Sequence, residues 1–222
     1  MLDHPIFSES IRRIRRLLAE QDAADPAWAR MLAELSPLER DVLERCIHSS
    51  GDPAIAADLR FSPGACWAGA AALAAGAPIL TDTAMAAAAV APMARRTFAN
   101  RVICVLDWAP EQPHEGSTRT AAGMAVALER LAADADSPAV VLIGSAPTAL
   151  EVLLERLAAG SPAPALVIGM PVGFVGVAES KRHLASSGLA QLRLEGSKGG
   201  AGLVAAACNA LLRAAWLDRP LR

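Results

Sequence analysis

The 222-residue chain lacks an excess of charge of either sign. It holds 21 lysine and arginine residues against 23 aspartate and glutamate residues, a formal net charge of −2. Nucleic-acid-binding domains normally carry a marked basic excess or a basic stripe, so the composition disfavours an RNA or DNA partner. With 53% hydrophobic and 20% charged residues, the chain resembles folded proteins, and its length favours one domain over residues 1–222.

Long apolar runs are also missing. The mean hydropathy is positive, +0.32, but alanine supplies most of it, and charge, proline or glycine interrupts every apolar stretch before the roughly 18 residues of a membrane span. The segment "MLDHPIFSESIRRIRRLLAEQ" places arginines after the apolar residues and lacks the apolar core and cleavage site of a secretory signal. We therefore expect a cytoplasmic protein with no membrane partner.

Several motifs of metal, nucleotide and hydrolase sites are absent from the sequence. The four cysteines, Cys46, Cys66, Cys104 and Cys208, form no C-x-x-C pair, which favours reduced core thiols over a disulfide framework or a zinc site. Neither G-x-x-x-x-G-K-[ST] nor a G-x-G-x-x-G after a strand occurs, and no G-x-S-x-G elbow follows a strand. These absences disfavour a nucleotide-binding domain and a Ser-His-Asp hydrolase, and we expect no bound metal.

The first third of the chain carries helix signals. Apolar residues at helical spacing predict an amphipathic helix over residues 8–22. The stretch "SPLERDVLERCIH" begins with Ser36 as N-cap and places Glu39 three residues later, the pattern of a capping box. A third helix is predicted over residues 62–76, with Ser62 as its cap and glycine at its end.

After residue 76 the pattern changes to short apolar runs alternating with helices. The runs "APILTDT", "RVICVLD", "AVVLIGS" and "PALVIGM" and the more polar "AQLRLEG" predict strands, and helices are predicted over 84–98, 118–134, 147–159 and 199–216. This order predicts an α/β fold of three layers, with a mostly parallel sheet, helices on both faces and an N-terminal helical segment. Ligands are then expected beyond the carboxyl ends of the strands.

Two of those strand ends have the form of anion sites. In "IGSAPTAL", residues 143–150, free backbone N–H groups at the helix start either receive a carboxylate or phosphate or belong to a plain turn. In "GSKGGAG", Lys198 lies among glycines that allow a close backbone approach to an anion. The second stretch resembles a phosphate loop only loosely, and both interpretations remain open.

One of the four histidines differs from the others. His4 lies near a chain end, His114 lies in a polar loop, and His183 follows "ESKR" on a helix expected to be solvated. His48 instead ends an apolar helix and precedes the small polar residues "SSGD", where a side chain can face a pocket. A catalytic role and an ordinary histidine at a helix end both fit this position.

Several stretches in one order resemble the precorrin-8X methylmutases, also called cobalt-precorrin-8 methylmutases. They are "RCIHSSGDP", "LRFSPGA", "AGAPILTDTAM", "IGSAPTAL", "LVIGMPVGFVGVAESK" and "GSKGGAG" followed by "ACNALL". The resemblance runs from about residue 8 to residue 215. The stretch "PVGFVGVAESK" is more specific than a generic turn.

The resemblance implies an isomerase that moves a ring methyl group from C-11 to C-12 of a tetrapyrrole, giving hydrogenobyrinate or its cobalt-containing counterpart. It implies no external cofactor, and a homodimer with active sites near the subunit interface. It places the essential histidine at His48. A methyl shift needs a firmly held macrocycle and a proton for a ring nitrogen, and imidazole can donate and recover a proton near neutral pH.

The same resemblance implies contacts with the anionic acetate and propionate arms of the substrate. Arg119 is the first expected carboxylate partner and Lys198 the second, while Ser10 is expected to hydrogen-bond the ring periphery. The further candidates for substrate binding are Arg45, Arg60, Thr83 and Ser145.

Two departures from the family pattern motivate a different hypothesis. Ser145 stands where the family usually has asparagine, and Ser197 stands where it usually has arginine, so two donors are missing from the expected binding loops. A relative that carries a tetrapyrrole without rearranging it is therefore the alternative to an enzyme. Retention of His48 favours the enzyme, because a pure carrier gains nothing from a titrating residue at the ring.

Overall fold

The computed structural model describes residues 3–24, 26–133 and 138–219. The helices are α1 (Pro5–Ala24), α2 (Pro26–Glu34), α3 (Pro37–Ser50), α4 (Ala65–Ala74), α5 (Ala84–Arg96), α6 (Arg119–Ala133), α7 (Pro147–Ala158), α8 (Val177–Ser186) and α9 (Ala201–Leu217). The strands are β1 (Leu59–Phe61), β2 (Ile79–Thr81), β3 (Val102–Cys104), β4 (Val140–Ile143), β5 (Leu166–Gly169) and β6 (Gln191–Leu194). Short 3-10 turns occupy Pro53–Ala57 and Val105–Trp108.

The strands form one sheet in the order β1-β6-β5-β4-β2-β3. Every pairing is parallel except that of β1 with β6, which is antiparallel. From β2 the chain proceeds to β3 on one side, and β4, β5 and β6 then follow on the other. The strand order therefore reverses between β2 and β4, and ligands of open α/β sheets bind outside the carboxyl ends of the strands at such a point.

Alternate residues of the central strands pack on opposite faces of the sheet. Val140 and Leu142 belong to the apolar cluster formed with α3, α4, α5 and α9. Val141 and Ile143 belong to the cluster formed with α6, α7 and α8. Because successive strand side chains point to opposite faces, these two clusters lie on either side of the sheet, and the predicted three-layer α/β fold is confirmed.

The structure differs from the sequence prediction at three places. The helix α2 and the three-residue strand β1 were not predicted, since neither carries a long periodic pattern, and β1 forms by pairing with β6. Ser62 does not cap α4, which begins after Gly64. The Ser62 hydroxyl instead accepts a hydrogen bond from the Gln191 backbone N–H at 2.9 Å. Residue 134, the predicted last residue of α6, lies outside the described residues.

Two ion pairs hold α1 and the residues just before it against the rest of the molecule. The guanidinium group of Arg15 donates two hydrogen bonds of 2.8 Å to the buried carboxylate of Glu44 on α3. Arg213 on α9 donates to Asp3, with distances of 2.6 to 2.9 Å. Paired, bidentate geometry compensates the desolvation of a buried carboxylate.

The cysteines are four buried free thiols, as predicted. Across the described ranges, no group of three or more histidine, cysteine, aspartate or glutamate side chains is placed to hold a metal ion. In the same part of the chain, no helix combines the length and apolar composition that a bilayer span requires.

Candidate active site

His48 lies in the last turn of α3 with its side chain exposed. The helix starts with the predicted capping box, in which the Ser36 hydroxyl accepts from the Glu39 N–H and the Glu39 carboxylate accepts from the Ser36 N–H. It stops at Gly51, whose φ of 68° is left-handed and whose N–H donates to Ile47 O at 2.8 Å. The helix therefore ends within one turn of His48.

Two residues of α1 fix the imidazole of His48. Ser10 Oγ lies 2.7 Å from His48 Nδ1, and the Phe7 ring meets the imidazole edge to face with centroids 5.1 Å apart. Arg45, one turn earlier on α3, places its guanidinium 4.7 Å from the centroid of the same Phe7 ring. With Nδ1 bound to Ser10, the other ring nitrogen, Nε2, is the one left to meet a ligand.

A cavity of about 390 Å³ adjoins His48 and is lined by residues of α3, α5 and α9, including Arg45, Ser49 and Asn209. Within the described residues, Arg45 Nη1 and Asn209 Oδ1 are buried without a hydrogen-bond partner. Asn209 is fixed, because its Nδ2 donates to Ala89 O at 3.2 Å. Burial lowers the pKa of Arg45, and the nearby carboxylates of Asp3 and Asp41 oppose that shift. Two residues that line the cavity thus hold buried polar atoms without a partner, which is uncommon in a folded protein.

A larger cavity, about 810 Å³, lies near the start of α3 and is lined by Leu38, Asp41, Trp67 and Phe98 among others. It is mostly apolar and holds none of the predicted site residues. Cavity size alone therefore does not locate the chemistry, and the smaller cavity beside His48 is the candidate active site.

The turn after β4 binds a carboxylate of the protein itself. Asp82 Oδ2, at the end of β2, accepts hydrogen bonds from the backbone N–H groups of Gly144, Ser145 and Ala146 at 3.0, 2.6 and 2.9 Å. Burial raises the pKa of Asp82, against the lowering effect of these three donors. The possibility that these N–H groups are free for a substrate is therefore wrong, because Asp82 already occupies them.

The turn between β6 and α9, residues 196–200, is here called the glycine loop. The Lys198 Nζ donates to Asp52 Oδ2 at 2.6 Å, and this contact lowers the pKa of Asp52. Gly199 packs so closely that an added Cβ would lie 2.0 Å from Met170 O, so no larger residue fits without a backbone shift. Since Asp52 follows His48 by four residues, the ion pair places the glycine loop beside the end of α3.

A buried lysine lies behind the glycine loop. Lys181 on α8 is 2% exposed, and its Nζ donates to Gly196 O at 2.8 Å and to Lys198 O at 2.7 Å. Burial lowers the pKa of Lys181 to about 8, and Asp58 opposes this shift. The expectation that "ESKR" lies on a solvated helix is therefore wrong for Lys181, whereas His183 is exposed and contacts Glu151 at 2.8 Å.

The other predicted binding residues are held by local contacts. Arg119 is exposed at the start of α6, where its Nε donates to Pro110 O at 3.2 Å. Arg60 donates to Ala57 O and forms an ion pair with Glu195 at 3.2 Å, so its charge is already engaged in the protein. The Thr83 hydroxyl accepts from the Ala86 N–H as the cap of α5.

The sequence predicted Ser10, Arg45 and His48 as site residues, and the structure brings them together, but other residues of the site were missed. Phe7 had a signal, since it precedes Ser10 by three positions and shares its helix face. Asp82 and Lys181 had none, because their partners are backbone groups 62 or more and 15 or more residues away. Such pairings depend on tertiary structure alone.

Comparisons with known proteins identify relatives of this chain. The profile of the precorrin-8X methylmutase family matches residues 5–214. A precorrin-8X methylmutase of Pseudomonas aeruginosa is 52% identical over 172 residues, covering 75% of this chain and 80% of that protein. A cobalt-precorrin-8 methylmutase of Synechocystis is 36% identical, with 98% of each chain covered.

A solved structure extends the agreement to three dimensions. The crystal structure of a precorrin-8X methylmutase from Thermus thermophilus superposes with a TM-score of 0.77 at 39% identity, covering 95% of each chain. Sequence and structure together place the chain in the precorrin-8X methylmutase family, a family of isomerases that shift a methyl group within one molecule.

Proposed function

We propose that the protein moves a methyl group from C-11 to C-12 of precorrin-8X, or of its cobalt-containing counterpart, with His48 as the proton donor and acceptor. The observation that carries this proposal is the exposed imidazole of His48, held by Ser10 at 2.7 Å beside a cavity with unpartnered polar groups. The reaction has no leaving group and no redox change, so positioning and proton transfer suffice.

In this mechanism the proton passes from His48 to the substrate and then back to His48, so no proton is consumed. Protonated His48 donates from Nε2 to a nitrogen of the macrocycle, which draws electron density through the conjugated ring. The methyl group then migrates with its bonding pair from C-11 to C-12, and the proton returns to His48. The Ser10 hydroxyl accepts from Nδ1–H in both states, because only the proton on Nε2 leaves and returns.

Cations around the site bind the carboxylate arms of the substrate. The buried Nη1 of Arg45 has no hydrogen-bond partner among the described residues, and we propose that the guanidinium group turns toward the cavity, where it gains a charge-assisted bond with an entering arm. When the substrate binds, the ammonium group of Lys198 leaves Asp52 and binds a second carboxylate arm. Arg119, whose Nε donates to a backbone carbonyl, and the Ser145 hydroxyl meet arms on the other side of the switch point. Thr83 and Arg60 keep their structural contacts.

Replacement of Lys198 by alanine is expected to raise KM for precorrin-8X about tenfold and to change kcat less than threefold, because one charge-assisted contact with an arm is lost. The matched variant Asp52→Asn removes the competing carboxylate and is expected to lower KM or leave it unchanged. Steady-state kinetics measure both. A rise in KM in both variants would show that the ion pair, and not Lys198 itself, supports binding.

The active site is completed in a homodimer. A cavity of about 390 Å³ is at the small end of ligand sites, about 300–1,000 Å³, whereas a tetrapyrrole with its arms is a large ligand. Phe174 and Val175, in the loop after β5, are 95% and 88% exposed, and this loop binds the glycine loop through Gly173 N–H to Ser197 O at 3.0 Å.

Sedimentation equilibrium is expected to give twice the chain mass, and a monomer at micromolar concentration would contradict this.

The visible spectrum tests the proposed reaction directly. Purified protein is mixed with precorrin-8X and, separately, with cobalt-precorrin-8, and conversion is followed as the spectrum of the product appears. Conversion of either compound supports the isomerase and identifies the substrate form. Binding of both compounds without conversion would instead support the carrier that the substitutions at Ser145 and Ser197 suggest.

A further inference from the structure

Three successive carbonyl groups of the glycine loop accept hydrogen bonds from residues outside the loop. Gly196 O and Lys198 O accept from Lys181 Nζ, and Ser197 O accepts from the Gly173 N–H at 3.0 Å. The Gly200 N–H donates to Met170 O at 2.9 Å. The backbone of the loop is thus fixed, and the Lys198 side chain is the part that can respond to a ligand.

The cost of burying Lys181 indicates more than packing. A buried ammonium group is expensive unless it is paired with an acidic group, and no carboxylate forms an ion pair with Lys181 in the described part of the chain. Both hydrogen bonds that Lys181 Nζ donates within the described residues go to the glycine loop. An apolar residue of similar size would fill the space without a desolvation penalty, so the charge serves the loop.

The direction of the peptide groups shows what this fixation achieves. In a trans peptide the C=O and the following N–H point in opposite directions. Because Gly196 O and Lys198 O point at Lys181, the N–H groups of Ser197 and Gly199 point away from it. Neither N–H group has an acceptor among the described residues. Two free N–H donors therefore flank Lys198, whose side chain ends in an ammonium group.

We propose that Lys181 is a positioning residue, which orients the N–H groups of Ser197 and Gly199 and the side chain of Lys198 to bind one carboxylate arm of the substrate. The inference rests on the proposed function and names a residue and two backbone donors for it. Lys181 acts through the loop and touches no substrate atom.

Kinetics of Lys181→Met, Lys198→Ala and the double variant test the proposal. Lys181→Met keeps an unbranched side chain, one heavy atom shorter, and removes the charge. It is expected to raise KM for precorrin-8X about tenfold with kcat changed less than threefold. In the Lys181→Met background, Lys198→Ala is expected to raise KM less than threefold further, because residues that act through one contact are not additive. A double variant whose rise in KM equals the product of the two single-variant rises would overturn the proposal. An unchanged KM in Lys181→Met would overturn it as well.

A second measurement does not depend on turnover. Hydrogen exchange of the Gly200 amide, which is bonded to Met170 O, is expected to be at least tenfold faster in Lys181→Met, while the core amides of β4 are unchanged. If the parent protein fails to convert precorrin-8X, the proposed function fails, but this exchange rate still decides whether Lys181 fixes the loop. Unchanged exchange at Gly200 would refute that role.

The conservative variant Lys181→Arg covers the case in which Lys181→Met does not fold. Arginine keeps the charge and several donors, so KM and Gly200 exchange are expected to stay within about threefold of the parent values. A tenfold rise in KM in a folded Lys181→Arg protein with unchanged Gly200 exchange would contradict a role through the loop.

Discussion

Replacement of His48 by alanine is expected to lower kcat for the methyl shift by about 10²- to 10⁴-fold, the usual contribution of general acid–base catalysis. KM is expected to change less than threefold, because the carboxylate arms are bound by other residues. His48 is exposed at the end of α3, so its removal leaves the core intact and the variant is expected to fold. Spectrophotometric turnover and a binding titration with precorrin-8X measure the two effects separately.

His183→Ala is the matched control for this variant. His183 is also an exposed histidine near the end of a helix, and it contacts Glu151 on α7 and not the cavity. Its kcat and KM are expected to equal those of the parent. A His48→Ala protein with more than a tenth of the parent kcat would exclude His48 as the proton donor and leave positioning of the macrocycle as the source of the rate.

The architecture followed from the sequence because its signals are local. Each central strand is a short apolar run between turn residues, and alternation with helices specifies a parallel sheet. The capping box at Ser36 and Glu39 is a four-residue pattern and was found where predicted. Strand β1 shows the limit, since its three residues become a strand only by pairing with residues 192–194.

The candidate site was predicted only in part, because many of its contacts join residues that are far apart in the sequence. His48 and Ser10 were named through the resemblance to a known family, and the structure brings them within 2.7 Å. Arg60 was named as a further candidate for substrate binding, but its charge is paired with Glu195, which no local pattern indicates. Lys181 was placed on a solvated face, because the sequence does not reveal that its Nζ reaches the carbonyl groups of the glycine loop.

Asp82→Ala is expected to lower the free energy of unfolding by about 2–4 kcal/mol, the second large effect. The substitution removes the acceptor of three backbone N–H groups, and each buried donor left unpaired costs about 1–3 kcal/mol, in part relieved by water entering the gap. It also removes a negative charge from the N-terminus of α7, where the helix dipole favours an anion. Urea denaturation at neutral pH measures the loss.

Two further variants separate these causes. Asp82→Asn keeps an oxygen acceptor without the charge, and because burial disfavours the ionised carboxylate of Asp82, its loss is expected to be smaller than that of Asp82→Ala by about 1 kcal/mol or more. Asp107→Ala, at an exposed aspartate in the turn after β3, is expected to change stability by less than about 0.5 kcal/mol. An Asp82→Ala protein within 1 kcal/mol of the parent would mean that water replaces the carboxylate at little cost. The turn after β4 would then be an open anion site, and a substrate carboxylate would compete with Asp82 for it.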